Sequence, residues 1–373
     1  MTCVGVVLGG RLVRFGVGRR HTAIIRPAVL SLALVCGASL YGSEADEIVR
    51  QSVPVTTGTH LHLDADFGNI NVKPADGRTV GVEVHFRGDP PSRRELDKML
   101  HDFSLKVVQQ GTEINVSGRF THGWEPVLSY LLDGGFFSHR SFCHDWHCLT
   151  YSWLDEIEFR VNVPRQFAAN LTTSGGSVFV SQLKGDVSAH SSGGWLSFDR
   201  VEGPISAYTS GGGIVLVGVT GRSNVHTSGG GIRISDTSGD VEAYTSGGGI
   251  SIDTVSGRVK VRTSGGWIDA RGISGPIDAF TSGGGITAVL VSQPHDECRF
   301  DTSGGGVMVT LPADAHVNLD ASTSGGGVTT EFPVPYTNDH DHNAVRAPLN
   351  GGGPLVYLHT SGGSIVVKRA GAI

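Results

Sequence analysis

Residues 227–262 read TSGGGIRISDTSGDVEAY followed by TSGGGISIDTVSGRVKVR, two 18-residue units that can be laid directly over one another. Counting from each threonine, the second unit places Ile250, Ile252, Val255, Val259 and Val261 at columns 6, 8, 11, 15 and 17. The first has Ile232, Ile234, Thr237, Val241 and Ala243 there, with one polar exception. A spacing of two within columns 6–8 and 15–17 is strand periodicity. Glycines follow the threonine, and another glycine recurs at column 13, as Gly185, Gly203, Gly221, Gly239, Gly257 and Gly275. Each unit therefore reads as two short strands joined by two glycine-bearing turns.

Working outward, the serine of the Thr-Ser-Gly-Gly motif (once Ser-Ser-Gly-Gly) falls at Ser174, Ser192, Ser210, Ser228, Ser246, Ser264 and Ser282 at a constant step of 18. It returns at Ser303 and Ser324, and at Ser361 after a longer excursion. Fixed-period self-similarity marks a stacked repeat architecture. Five inward side chains cannot offset the entropy of ordering 18 backbones, so each unit needs its neighbours. The pattern predicts an all-β fold, a right-handed parallel β-solenoid (a single-stranded β-helix) with 18-residue rungs about 4.8 Å apart. Its handedness follows precedent. Calcium-binding nonapeptides would need a recurrent aspartate, whereas column 9 holds Val217, Ser235, Asp253 and Val289. Hexapeptide helices would need an apolar residue every six.

The composition fits. The chain has 373 residues and 55 glycines, about twice the ordinary ~7%. Charged residues make up 17%, which excludes a disordered or polybasic nucleic-acid-binding chain. The net charge is −6.

Residues 1–43 carry Arg11, Arg14, Arg19, Arg20 and Arg26 and no acid, and an apolar run from Pro27 to Tyr41 follows the arginines. This reads as a signal peptide, with an uncleaved anchor or a lipoprotein signal at Cys36 as alternatives. Its removal leaves a charge of −11. The organisation expected is a signal peptide at 1–43, a strand-rich N-terminal part at 44–170, and a repeat solenoid with a C-terminal cap at 171–373. Strands are expected at His60–Asp64, Asn69–Val72, Val80–Phe86, Glu113–Val116 and Glu156–Val163. Leu96, Met99, Leu100 and Phe103 predict a short amphipathic helix. The pattern breaks at 119–153, an expected insertion rich in Cys, His and aromatics.

Three segments carry a family resemblance. They are Phe159-Arg160-Val161-Asn162-Val163-Pro164, the repeats such as Thr245 to Ile250, and the closing Leu349-Asn350-Gly351-Gly352-Gly353-Pro354 with Thr360-Ser361-Gly362-Gly363-Ser364-Ile365. Through them the chain, over about Ile48 to Lys368, resembles the bacterial putative-adhesin domain family of exported glycine-rich proteins. The resemblance implies a single-stranded β-helix and an envelope location, and it supplies no catalytic residues. The insertion at 119–153 departs from it.

Candidate chemistry is sparse. Cys143-His144-Asp145-Trp146-His147-Cys148 reads as a disulfide between Cys143 and Cys148, with a metal site of Cys143, His144, His147 and Cys148, or free thiols, as alternatives. Asn338-Asp339-His340-Asp341-His342 reads as a solvated loop. Cys298 reads as a buried thiol. Column 18 stacks His190, Tyr208, His226, Tyr244, Arg262 and Phe280, outward by alternation. Column 5 holds Trp195, then Gly213, Gly231 and Gly249, then Trp267, four rungs and roughly 19 Å from the first tryptophan. Trp195, Trp267, Tyr208, Tyr244, His190 and His226 could edge a glycine-floored trough that stacks on a glycan or a surface protein. Self-stacking that only stabilises the fold is the competing reading.

The function expected is a non-catalytic, exported cell-envelope protein (periplasmic, outer-surface or secreted) serving as an adhesin or interaction scaffold. It would need no cofactor, would bind no nucleic acid, and would touch membrane only through an uncleaved signal. One rival is a polysaccharide-acting enzyme using Asp253 and Asp269, with Lys260, Arg262 and Arg271 nearby. Another is a purely structural envelope-stress module.

Overall fold

A computed structural model of the chain describes residues 45–55, 58–88, 90, 92–120, 154–334 and 342–371. The described residues are all-β apart from one helix, and their strands form two mostly parallel sheets of 14 strands each. The signal-peptide segment, the centre of the 119–153 insertion and the Cys143–Cys148 cluster lie outside the described residues, as do positions 338–341 of the polar loop.

Register explains the repeat. In the first sheet Leu196 pairs with Ile214, Ile214 with Ile232, Ile232 with Ile250 and Ile250 with Ile268, each step being 18 residues. In the second sheet Val187 pairs with Ile205, Val241 with Val259 and Val259 with Ile277. Columns 6, 8, 15 and 17 are buried in strand after strand, and the inward residues of both sheets form one apolar cluster. The strands expected in the N-terminal half are present, and helix α1 (Arg93–Asp102) buries Leu96 and Met99 as its spacing predicts. Ser92 caps it, its Oγ accepting from the Glu95 N–H at 3.3 Å.

The Thr-Ser-Gly-Gly corner has a specific construction. Thr227 is fully buried, and its hydroxyl donates to the Gly212 carbonyl of the preceding repeat at 2.7 Å while accepting the Gly230 N–H of its own turn at 3.3 Å. Thr245, Thr263 and Thr281 do the same with Gly230, Gly248 and Gly266 as the carbonyl partners. One hydroxyl thus closes a turn and ties it to its neighbour. The second glycine is required by stacking: a β-carbon at Gly230 would sit 2.1 Å from the Gly212 carbonyl oxygen.

The strand repeat also contains a corner that composition does not flag. Column 10 is left-handed at Gln182, Arg200, Gly218, Asp236, Thr254 and Gly272, with φ between 50° and 66°. Only two of the six are glycine, so the pattern stays hidden in the sequence. The expected column-13 corner is also present, with Gly185, Gly203, Gly221 and Gly239 at φ of 124° to 148°.

At the C-terminal end the strands are not in sequence order. Leu355–Thr360 lies between Cys298–Thr302 and Val317–Thr323, and Ile365–Arg369 lies between Val307–Leu311 and Val328–Thr330. The last motif of the chain is therefore interior to both sheets, while the edges are the antiparallel strand Ala344–Leu349 and the three-residue strand Val328–Thr330. Burying Val356, Leu358, Ile365 and Val367 on both sides accounts for the excursion. At the other end the edges are Ala45–Pro54 and Phe103–Gln110, both antiparallel to their neighbours. Short or antiparallel edges break the template that would otherwise extend the parallel stack.

Candidate interaction surface

The column-18 side chains leave the second sheet on its outer face. The rings of His190 and Tyr208 are 5.0 Å apart and 4° from parallel, and those of Tyr208 and His226 are 5.2 Å apart at 21°. His226 and Tyr244 are 6.4 Å apart and tilted by 34°. In-register strands deliver rings at the stacking distance, so the ladder fills its own ring faces and turns edges to solvent. The ladder ends in a charged cluster. The Tyr244 hydroxyl donates to Glu242, which also receives Lys260 Nζ at 2.9 Å. The Tyr244 hydroxyl first, and Lys260 second, hold the Glu242 carboxyl below the usual carboxylate range.

The tryptophans are differently placed. Trp195 and Trp267 are 56% and 52% exposed, more than the aromatic ladder's Tyr208 at 39%. Each immediately precedes a strand of the first sheet (Leu196–Asp199 and Ile268–Ile273), on the opposite side of the Thr-Ser-Gly-Gly corner from column 18. Each indole lies against a glycine of an adjacent strand. A β-carbon at Gly213 would come within 2.5 Å of Trp195 Cζ3, and one at Gly249 within 2.7 Å of Trp267 Cε2. Trp195 therefore reaches toward the later repeats and Trp267 back toward the earlier ones. Among the described residues no ring contact joins either indole to the His/Tyr ladder, whose rings stand on the second sheet while the tryptophans lead into strands of the first.

Two further features escape a motif search. Phe179, at column 7 of the first sheet, is 42% exposed; its outward column was readable from the alternation. On the second sheet a shallow groove of about 370 Å³ runs beside the aromatic ladder over Asn170, Ser188, Ser206 and Asn224, with His60 and Arg222 on its walls. Its floor exists because column 16 is short in four successive strands and long in the next two, at Glu242 and Lys260.

The residues of the enzymatic rival divide between the sheets. Asp253 and Asp269 are on the first, Lys260 and Arg262 on the second. Asp269 is taken up by Arg271 at 2.9 Å and Lys260 by Glu242. Cys298 is a buried free thiol whose burial pushes its pKa up, away from thiolate chemistry. Among the described residues no helix is long and apolar enough to cross a membrane.

No family model matches the chain, and no curated protein matches it. Solved structures do. A putative adhesin from Parabacteroides merdae is 11% identical with a TM-score of 0.38, over 87% of this chain and 96% of that one. A putative adhesin from Parabacteroides distasonis is 10% identical with a TM-score of 0.37, over 87% and 97%. A putative lipid binding protein from Parabacteroides distasonis is 9% identical with a TM-score of 0.36, over 88% and 98%. Two of these three structures carry the name putative adhesin, the third putative lipid binding protein.

Proposed function

We propose that the chain is a non-catalytic, exported cell-envelope protein that acts as an adhesion or interaction scaffold, holding a glycan or a surface protein on the outside of a right-handed parallel β-solenoid with 18-residue rungs. The parallel registers offset by 18 residues support the solenoid reading.

One observation carries the functional reading: two indoles, each more than half exposed, lie on glycines that leave room for them. The fold does not call for tryptophan at that column, because Ser177, Gly231 and Gly285 occupy it elsewhere in equivalent strands. Exposed apolar surface gathered on one face, rather than scattered singly, is a mark of an interaction site. A half-exposed indole offers a rigid apolar face and one N–H donor, a combination suited to stacking on a sugar or on a partner's side chain.

The His190–Tyr208–His226–Tyr244 stack favours a different assignment for its own column. Its ring faces are already occupied, so its main contribution is to the stack, by about 0.5–1.5 kcal/mol per ring pair.

The test is binding of the purified chain to whole cells and to a glycan panel, comparing wild type with Trp195→Ala/Trp267→Ala. The double variant should keep its melting temperature within a few degrees and lose at least tenfold in affinity. Unchanged binding with the fold intact would remove the tryptophan surface from the account.

A further inference from the structure

We propose that the face between Trp195 and Trp267 binds a carboxylate-bearing polysaccharide, with Arg233 as the contact for its charge. This rests on the interaction-scaffold reading and names the class of ligand for it.

Gly231 lies midway between the tryptophans, 36 residues from each, which is two strand positions in either direction. Because Trp195 covers Gly213 and Trp267 covers Gly249, the indoles converge from both sides and Gly231 is the floor left between them. The two covered glycines are separated by two strand spacings, roughly 10 Å. The bareness of Gly231 is not imposed by the backbone. A β-carbon there would meet only the Gly249 carbonyl oxygen at 3.2 Å and its nitrogen at 4.0 Å, whereas at neighbouring Gly230 it would collide with the chain at 2.1 Å. Equivalent strands carry serine at the same column, at Ser177 and Ser364.

Arg233 follows two residues along the strand from Gly231 and points to the same face, exposed. Its in-register neighbours are Val215 and Ser251, neither charged. Other arginines of this face are ion-paired, Arg200 with Asp199 at 2.6 Å and Arg271 with Asp269 at 2.9 Å. Arg233 forms no ion pair among the described residues; Asp253, diagonally across on the next strand, receives its hydrogen bond from Thr254.

Two indole platforms with a bare floor suit the apolar faces of consecutive sugar rings. A guanidinium beside that floor suits a planar carboxylate, which it meets with two parallel N–H···O bonds. A single guanidinium beside that floor, on a chain of net charge −6, is matched to sparse carboxylates and ill-matched to a densely sulfated polyanion.

The experiment measures binding of the full chain to immobilised polygalacturonate, with dextran as neutral and dextran sulfate as sulfated comparator. Polygalacturonate should bind most tightly, and more weakly as salt rises. Arg233→Gln should raise its Kd at least tenfold and erase the preference over dextran. Gly231→Leu, which fills the floor and leaves both indoles and Arg233 in place, should also raise the Kd. Equal binding of polygalacturonate and dextran, tighter binding of dextran sulfate, or an unchanged Kd in Arg233→Gln would overturn the inference. The two readings fail separately. If Trp195→Ala/Trp267→Ala loses cell binding while Arg233→Gln matches wild type, or if the cell binding is abolished by protease treatment of the cells, the scaffold stands and the polysaccharide assignment falls. If the double variant also binds cells normally, both fall.

Discussion

At the scale of single residues, the hydroxyl of the repeat threonine does more than the sequence alone reveals. Thr227 reads as a turn residue, yet it is buried and bonded both to its own turn and to the turn before it. Thr227→Val keeps the shape and removes both bonds, leaving the Gly212 carbonyl and the Gly230 N–H short of a partner. We expect a loss of about 1–3 kcal/mol, read as a lower urea midpoint at constant slope; an unchanged midpoint would mean that water replaces the hydroxyl. Thr254 makes the opposite case. It is a β-branched residue at φ 62°, where the aligned Gly218 and Gly272 sit at 63° and 66°. Left-handed backbone costs a non-glycine residue about 1–2 kcal/mol. Thr254→Gly should therefore stabilise the chain by up to about 1 kcal/mol after the entropy of the new glycine is deducted; a loss of stability would show that the threonine is held there by contacts worth more than the strain.

At the scale of elements, glycines that look identical in the sequence differ in role. In Gly229-Gly230-Gly231 the middle residue is fixed by the backbone of the preceding turn and the last is not. Gly230→Ala should be among the most damaging turn substitutions and should abolish the cooperative transition or lower it by several kcal/mol, while Gly231→Ala should melt within a few degrees of wild type. Parallel melting curves for the two would contradict the stacking geometry. This contrast also marks how far the sequence could be read. The alternation at columns 6, 8, 15 and 17 was legible because burial on a strand has period two. The column-10 corner was not, because Gln182, Arg200, Asp236 and Thr254 advertise no left-handed backbone. Nor was the convergence of the indoles, since the direction in which Trp195 and Trp267 lean is a rotamer choice that strand periodicity does not carry.

At the scale of the whole molecule, local periodicity predicts which residues are neighbours only while the chain advances one repeat at a time. It does so from Ser174 to Ser303 and stops doing so at the end, where Leu355–Thr360 enters beside Cys298–Thr302 ahead of the strand that precedes it in sequence. The charge on the Tyr244–Glu242–Lys260 cluster adds a pH dependence. The Glu242 carboxyl is held below its ordinary value of 4.5, so its contribution is present above that pH and lost as the pH falls through the lowered value. Both the converging tryptophans and the threonine ladder depend on residues 18 apart in sequence standing side by side. Spin labels placed at Ser197 and then at Val215, Arg233, Ser251, Asp269 and Thr287 share one outward column of the first sheet. Pairing Ser197 with Asp269 and with Thr287 and measuring the separations by pulsed electron resonance tests that dependence directly. The backbone separations should be roughly 19 and 24 Å, growing by about 4.8 Å for each 18 residues. Separations that fail to grow with each added repeat would contradict the stack, and with it the surface built on it.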